Sequence, residues 1–252
     1  MSLLEMRGVT AGYGHALAVR DLDLSVSAGE VVALLGPNGA GKTTALRTAV
    51  GLLAPSAGEV RAFGRPLSRR VEKNARAGVV LVPDNRAIFH GLTVRENLTL
   101  ARPRNRADLD AVLDRLPRLK PLVGRRVGLL SGGEQQMLAL GKALLSRPRV
   151  LLVDELSMGL APVAVQELLP IVRGLADELW VGVILVEQHI DLALGVADRA
   201  LVLHHGRTVL AGSAADLRAD RDAVRQAYFG DHEAEETGPS ERPEPAAVGD
   251  RV

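Results

Sequence analysis

Three stretches of the chain carry residue types at spacings suited to chemistry on a polyphosphate. The first, Gly36-Pro37-Asn38-Gly39-Ala40-Gly41-Lys42-Thr43, reads G-x-x-x-x-G-K-[ST], with Thr44 next. Glycines in such a run let the backbone curl until successive N–H groups face one anion. A helix starting there adds its partial positive charge. Lys42 can reach the β- and γ-phosphates of a nucleoside triphosphate, and the Thr43 hydroxyl can ligate magnesium. A glycine-rich turn with a chance lysine is the competing reading. It leaves unexplained the buried strand before the run and the helix after it. By itself the loop implies only triphosphate binding, which kinases, GTPases and motor ATPases share.

The second stretch, Val150–Glu155 (VLLVDE), is an apolar strand ending in two carboxylates. Asp154 at such a tip can hold magnesium through its water shell, opposite Thr43. Glu155 is then placed to orient and deprotonate an attacking water. An acidic strand end that caps a turn has the same composition, and the nearby phosphate loop favours chemistry. The third stretch is LSGGEQQ, residues 130–136. It sets Ser131, Gly132, Gly133 and Glu134 at the start of a helix predicted over Glu134–Leu145, with Ser131 as N-cap. That is a second anion-binding helix start, or an ordinary capped helix. Two phosphate-binding elements and one acidic strand are reconciled most simply if the second serves the nucleotide of another subunit.

These residues need elements to position them. Val31–Leu35, Val79–Val82, Val150–Val153 and Val181–Val186 are continuous apolar runs, the pattern of strands buried on both faces. Leu3–Val9 and Asp21–Val26 alternate, with a turn expected at Gly12-Tyr13-Gly14, and Val60–Phe63 is a further short strand. Helices are expected over Thr43–Leu53 and Val163–Leu179, the latter bending at Pro170. Arg86 to Lys142 reads as helical, and Ala200–Leu203 with Thr208–Ala211 as a hairpin around His205-Gly206-Arg207. Buried strands alternating with helices imply an α/β chain with a largely parallel sheet covered on both faces.

The bulk composition excludes several classes. At 252 residues and 47% apolar content the chain can bury a large core, built mainly from Leu, Val and Ala because aromatics make up only 2%. The absence of cysteine excludes disulfides and thiolate metal sites. A net charge of +1 gives no reason to expect nucleic acid or an anionic membrane as partner. No window approaches about 18 uninterrupted apolar residues, and no signal peptide is legible. The expectation is a soluble intracellular protein that serves a membrane, if at all, through a partner. Residues 231–252, acidic and rich in Pro and Glu, are expected to be a disordered tail.

LSGGEQQ, lying between the phosphate loop and VLLVDE, is similar to the signature of ATP-binding cassette (ABC) ATPases. The resemblance runs from Leu3 to about Gly230, an ABC ATPase domain over 1–230. It implies a P-loop ATPase core with a mixed sheet, an N-terminal antiparallel β-subdomain and an inserted helical subdomain over about 86–145. ATP and Mg2+ are the implied ligands. Two cassettes would sandwich two ATP molecules, so that Ser131, Gly132, Gly133 and Glu134 meet ATP held by the partner's Gly36–Thr44.

By the same resemblance, Tyr13 matches the aromatic that stacks on adenine, the alternative being a strand-edge tyrosine. Asp84 stands where the family has a glutamine that senses the γ-phosphate and the membrane partner; it is shorter and charged, and is counted with Thr43 and Asp154 among the candidate metal residues. Ser157–Pro162 (SMGLAP) matches the loop that crosses the dimer interface, with Leu156 in place of a common proline. The family's γ-phosphate histidine falls at Gln188, and His189 comes one residue late, near the start of a helix over Ile190–Val196. A glutamine can donate to a phosphate oxygen but cannot carry a proton in and out.

Gln188, Arg86–Leu98, SMGLAP and Val224–Gly230 together resemble the branch that supplies the smaller ATPase of branched-chain amino acid importers. Asp84 departs from that branch. The branch implies an ATPase peripheral on the inner, cytoplasmic face of the cell membrane. Its partners would be transmembrane permease subunits, a second ABC ATPase subunit and, indirectly, a solute-binding protein. An ABC-type ATPase acting on the ribosome or on DNA is the alternative. It is disfavoured by the single uninterrupted cassette and the lack of long heptads. A phosphate-loop kinase leaves LSGGEQQ unexplained.

Overall fold

A computed structural model describes residues 2–101 and 106–229; the expected acidic tail lies outside the described residues. Two sheets organise the chain. The first is antiparallel, in the order β2-β1-β4-β5, from β1 (Ser2–Tyr13), β2 (Ala16–Ser27), β4 (Ala57–Ala62) and β5 (Arg65–Pro66). The second has the order β10-β9-β3-β8-β7-β6, from β3 (Val31–Leu35), β6 (Val79–Val82), β7 (Val150–Asp154), β8 (Gly182–Glu187), β9 (Arg199–His204) and β10 (Arg207–Ser213). All its pairings are parallel except β9 with β10 at one edge.

The two-residue period of the central strands divides the core. Val31, Ala33, Leu35, Leu151, Val153, Val183 and Leu185 face one cluster, with helices α3 (Val94–Leu100), α5 (Gly132–Leu145) and α6 (Pro162–Leu179). Val32, Leu34, Val150, Leu152, Ile184 and Val186 face the other, which takes in the inward residues of β1 and β2 and helix α1 (Lys42–Ala49). Both faces are covered, so each such strand reads as an unbroken apolar run. Their carboxyl ends, where β3, β7 and β8 stop side by side, are where an open α/β sheet binds ligands.

Between β6 and β7 the chain is helical, with α4 (Arg106–Arg115) and short 3-10 turns over Pro117–Leu122 and Val127–Leu129 between α3 and α5. Thr93 caps α3 in a full capping box with Glu96. Fully buried Asn97 holds the preceding loop by bonding Phe89 at both N and O. Helices α2 (Val71–Ala77), α7 (Ile190–Val196), α8 (Ala214–Ala219) and α9 (Arg221–Phe229) complete the described chain.

Several element boundaries differ from the sequence expectation. The expected turn at Gly12–Gly14 is strand as far as Tyr13, which pairs with Ala16, so the reversal falls on Gly14-His15. Helix α1 stops at Ala49 rather than Leu53, because Gly51 turns left-handed (φ 84°) and Leu52 donates back to the Arg47 carbonyl. Helix α6 begins at Pro162, one residue before the expected Val163, and contains Pro170 as expected. The last strand of the apolar series begins at Gly182, not Val181, since Trp180 ends α6 in the left-handed region (φ 57°).

Candidate active site

The phosphate loop joins β3 to α1, as its motif requires. Gly36 (φ 147°) and Gly41 (φ 101°) both occupy backbone conformations that a side chain disfavours. A Cβ on Gly36 would stand 2.3 Å from the Leu203 carbonyl oxygen, and one on Gly41 would stand 2.2 Å from that of Ala18. The curl is therefore wedged between β9 and β2 and admits only glycine at these points. No side chain caps α1, so its first N–H groups face the concavity of the loop.

Lys42 is buried inside that concavity, its Nζ donating to the carbonyl oxygens of Gly36 (2.7 Å) and Pro37 (2.9 Å). Burial pulls its pKa down, and the charges of Glu155, Asp154 and Glu187 oppose this. Glu155 Oε1 lies 4.0 Å from Lys42 Nζ. Asp154, 2% exposed, ends β7 and accepts from the Thr43 hydroxyl. Its Oδ1 is buried with no hydrogen-bond partner. Burial, with the charges of Asp84 and Glu155 adding to it, pushes its pKa up to about 6.

An orphaned carboxylate oxygen deep in a protein is costly unless something positive meets it. A hard oxygen-ligated cation between Asp154 and the Thr43 hydroxyl answers that requirement, so this pair fits a magnesium ion. Asp84 is near enough for its charge to act on both Asp154 and Arg47, while its Oδ1 accepts from Asn85 N at 2.8 Å.

Glu155 adopts a left-handed backbone (φ 50°), a strained state that turns its side chain away from the strand. Gln188, just past β8, donates from Nε2 to Glu155 Oε1 at 2.7 Å. His189 is the N-cap position of α7 and makes no side-chain cap bond. Of Gln188 and His189 it is thus the glutamine that touches the acidic pair. Tyr13 is half exposed at the end of β1, its hydroxyl accepting from Arg47 at 3.1 Å, with its ring free to stack.

The LSGGEQQ stretch stands apart. Among the described residues no hydrogen bond or ion pair joins Ser131–Glu134 to Gly36–Thr44. Ser131 and Glu134 instead satisfy each other in a capping box. Helix α5 begins at Gly132, two residues before the expected start. The close approach that Gly133 allows is made inside the chain, since a Cβ there would stand 2.8 Å from the Cβ of Ala164 on α6.

Two connections had no role in the sequence reading. Arg86 donates from Nε to Gln136 Oε1 (2.9 Å) and from Nη1 to Gln135 Oε1 (2.8 Å), tying the segment after Asp84 to α5. Glu187, 1% exposed, accepts from both N and Oγ of Ser157. The legible signal for Glu187 was a carboxylate closing a strand whose every other residue is apolar or glycine.

Residues 19–157 match the ABC transporter family model, which takes in the phosphate loop, LSGGEQQ and the acidic pair. The chain belongs to the ABC transporter ATPases. It is 41% identical to the high-affinity branched-chain amino acid transport ATP-binding protein BraG of Pseudomonas aeruginosa, over 90% of this chain and all of that one. It is 34% identical to the probable branched-chain amino acid transport ATP-binding protein LivF of Archaeoglobus fulgidus, over 83% of this chain and 91% of the other. A solved ATP-binding subunit of an ABC transporter superposes with TM-score 0.77 at 27% identity, covering 90% and 98% of the two chains. As an ABC ATPase the chain binds ATP and couples its hydrolysis to transport. Among its described residues no helix is long and apolar enough to cross a membrane.

Proposed function

We propose that this cassette is the smaller ATPase subunit of an importer for branched-chain amino acids or related small polar solutes. The observation that carries the reading is the 41% identity spanning the entire length of an ATPase of that kind. The cassette would sit on the inner face of the cell membrane, bound to two permeases, and pair with a second ABC ATPase. A solute-binding protein would deliver cargo from the far side, and no nucleic acid takes part.

Within the site, Gly36–Thr44 cradle the phosphates through backbone N–H groups and Tyr13 stacks on adenine. Lys42 moves from its carbonyl partners to the β- and γ-phosphates. Thr43 and Asp154, with Asp84 nearby, would hold magnesium, which when bound supplies charge neutralisation at the phosphate oxygens. Glu155 takes the proton of the attacking water, and Gln188 orients that carboxylate and donates to the γ-phosphate. Ser131–Glu134 present their helix start to the ATP of the second cassette. Closure around ATP then drives the permeases, and hydrolysis reopens the pair.

Purification of the tagged chain from gently solubilised membranes of its own cell tests this. Two polytopic permeases and a second cassette are expected, and the accompanying solute-binding protein should bind Leu, Ile or Val. Recovery of ribosomes, or of no membrane protein, would sink the reading.

A further inference from the structure

We infer that Glu187 is a positioning residue that couples the catalytic turn to the loop starting at Ser157; this rests on the ATPase reading above. Glu187 ends β8, paired in register with Leu35 at the mouth of the phosphate loop. Its buried carboxylate spends both oxygens on one residue, accepting from Ser157 N at 2.9 Å and Ser157 Oγ at 2.6 Å. Ser157 is itself buried. The adjacent Gln188 holds Glu155 Oε1, and Glu155 N donates to the Val186 carbonyl at 3.0 Å.

Three consecutive residues of β8 and its end, Val186, Glu187 and Gln188, thus clamp the turn Glu155–Ser157 at three points. The clamp holds Glu155 in its left-handed conformation. A movement of Gln188 when it meets a γ-phosphate is passed to Ser157, and so to the loop Ser157–Pro162.

Only a carboxylate accepts twice at this position. A glutamine there has one acceptor oxygen and turns an N–H2 toward one of Ser157's donors. A carboxylate buried to this degree is expensive to keep unless its hydrogen bonds are needed. Glu187 touches neither substrate nor the reacting atoms, so it acts through Ser157 and Glu155.

The test is steady-state ATP hydrolysis by the full chain, assembled with its second cassette and permeases, as Glu187→Gln, Ser157→Ala and the double variant. Fluorescent-ATP affinity and melting temperature are measured alongside. The expected result is a fall in kcat of about ten-fold or more for Glu187→Gln. KM and ATP affinity should hold within about two-fold, because the phosphate loop is untouched. Ser157→Ala, which removes one of the two bonds and a single buried oxygen atom, should lose kcat in part, and the double variant should be no worse than Glu187→Gln. A Glu187→Gln chain with wild-type kcat would overturn the coupling. So would multiplicative losses in the double variant, or a loss of ATP affinity in parallel with kcat. Should Glu187→Gln fail to fold, Ser157→Ala decides: unchanged kcat refutes the coupling. A wild-type chain that hydrolyses no ATP even when assembled with its second cassette and permeases would instead refute the ATPase reading itself.

Discussion

Replacing Asp154 by asparagine should stabilise the nucleotide-free protein while destroying its chemistry. Asp154 is 2% exposed, and one of its oxygens has no partner. Its pKa stands at about 6 in the folded chain against 3.8 for a free side chain. A carboxyl that holds its proton more tightly folded than unfolded makes stability fall as pH rises between those two values. Above about pH 6 the penalty is complete. The difference of about two pKa units, at about 1.4 kcal/mol each, sets it at about 3 kcal/mol. Asparagine keeps an acceptor oxygen for Thr43 and carries no charge, so the variant recovers most of that amount. For a chain of this size the gain corresponds to a rise of roughly 5–10 °C in melting temperature near pH 7.5. The gap should narrow as pH falls below about 6 and close only below 3.8, where the carboxyl is protonated in both the folded and the unfolded chain. Urea midpoints of the two proteins across that range, without nucleotide or metal, measure it. Equal midpoints near pH 7.5, or a gap that persists unchanged at acid pH, would refute the assignment of a buried charge awaiting a cation. ATPase activity of the variant should be lost, since Asp154 is the carboxylate proposed to hold the metal.

Gly41→Ala puts a Cβ 2.2 Å from the Ala18 carbonyl oxygen at φ 101°. It should cost about 2 kcal/mol or more of stability and weaken ATP binding at least ten-fold, read by melting and by nucleotide titration; wild-type affinity would show the loop shape to be unimportant. Gln188→Ala removes the 2.7 Å bond to Glu155, worth about 1.5–3 kcal/mol as a bond to a charged group. Turnover should fall by about ten-fold or more with KM little changed, and Gln188→Glu, which sets a second carboxylate against Glu155, should fall further. Equal activity of wild type and Gln188→Glu would contradict the contact.

Much of the molecule was readable from local pattern. The unbroken apolar runs of β3, β6 and β7, each too short for a buried helix, read as strands covered on both faces, and the phosphate loop, acidic pair and capped LSGGEQQ helix each announce themselves within eight residues. Their chemistry depends on residue type and near spacing, which a sequence displays directly. Strand register, which assigns faces one residue at a time, separated Gln188 from His189 in the sequence, and the structure adds the bond from Gln188 to Glu155. What the tertiary structure alone decided are the contacts between segments far apart in the chain. It brings Gln188 to Glu155, Glu187 to Ser157 and Arg86 to Gln135 and Gln136, and it leaves Asp154 Oδ1 without a partner. It also gives Gly133 its reason, the packing of Ala164 against α5. The boundaries of α1 and β1 shifted for the same cause, since Gly51 and Tyr13 answer to backbone partners that no local propensity reports. Sequence pattern reports which face of an element is buried; which atom meets which follows only when the sheet aligns the ends of its strands.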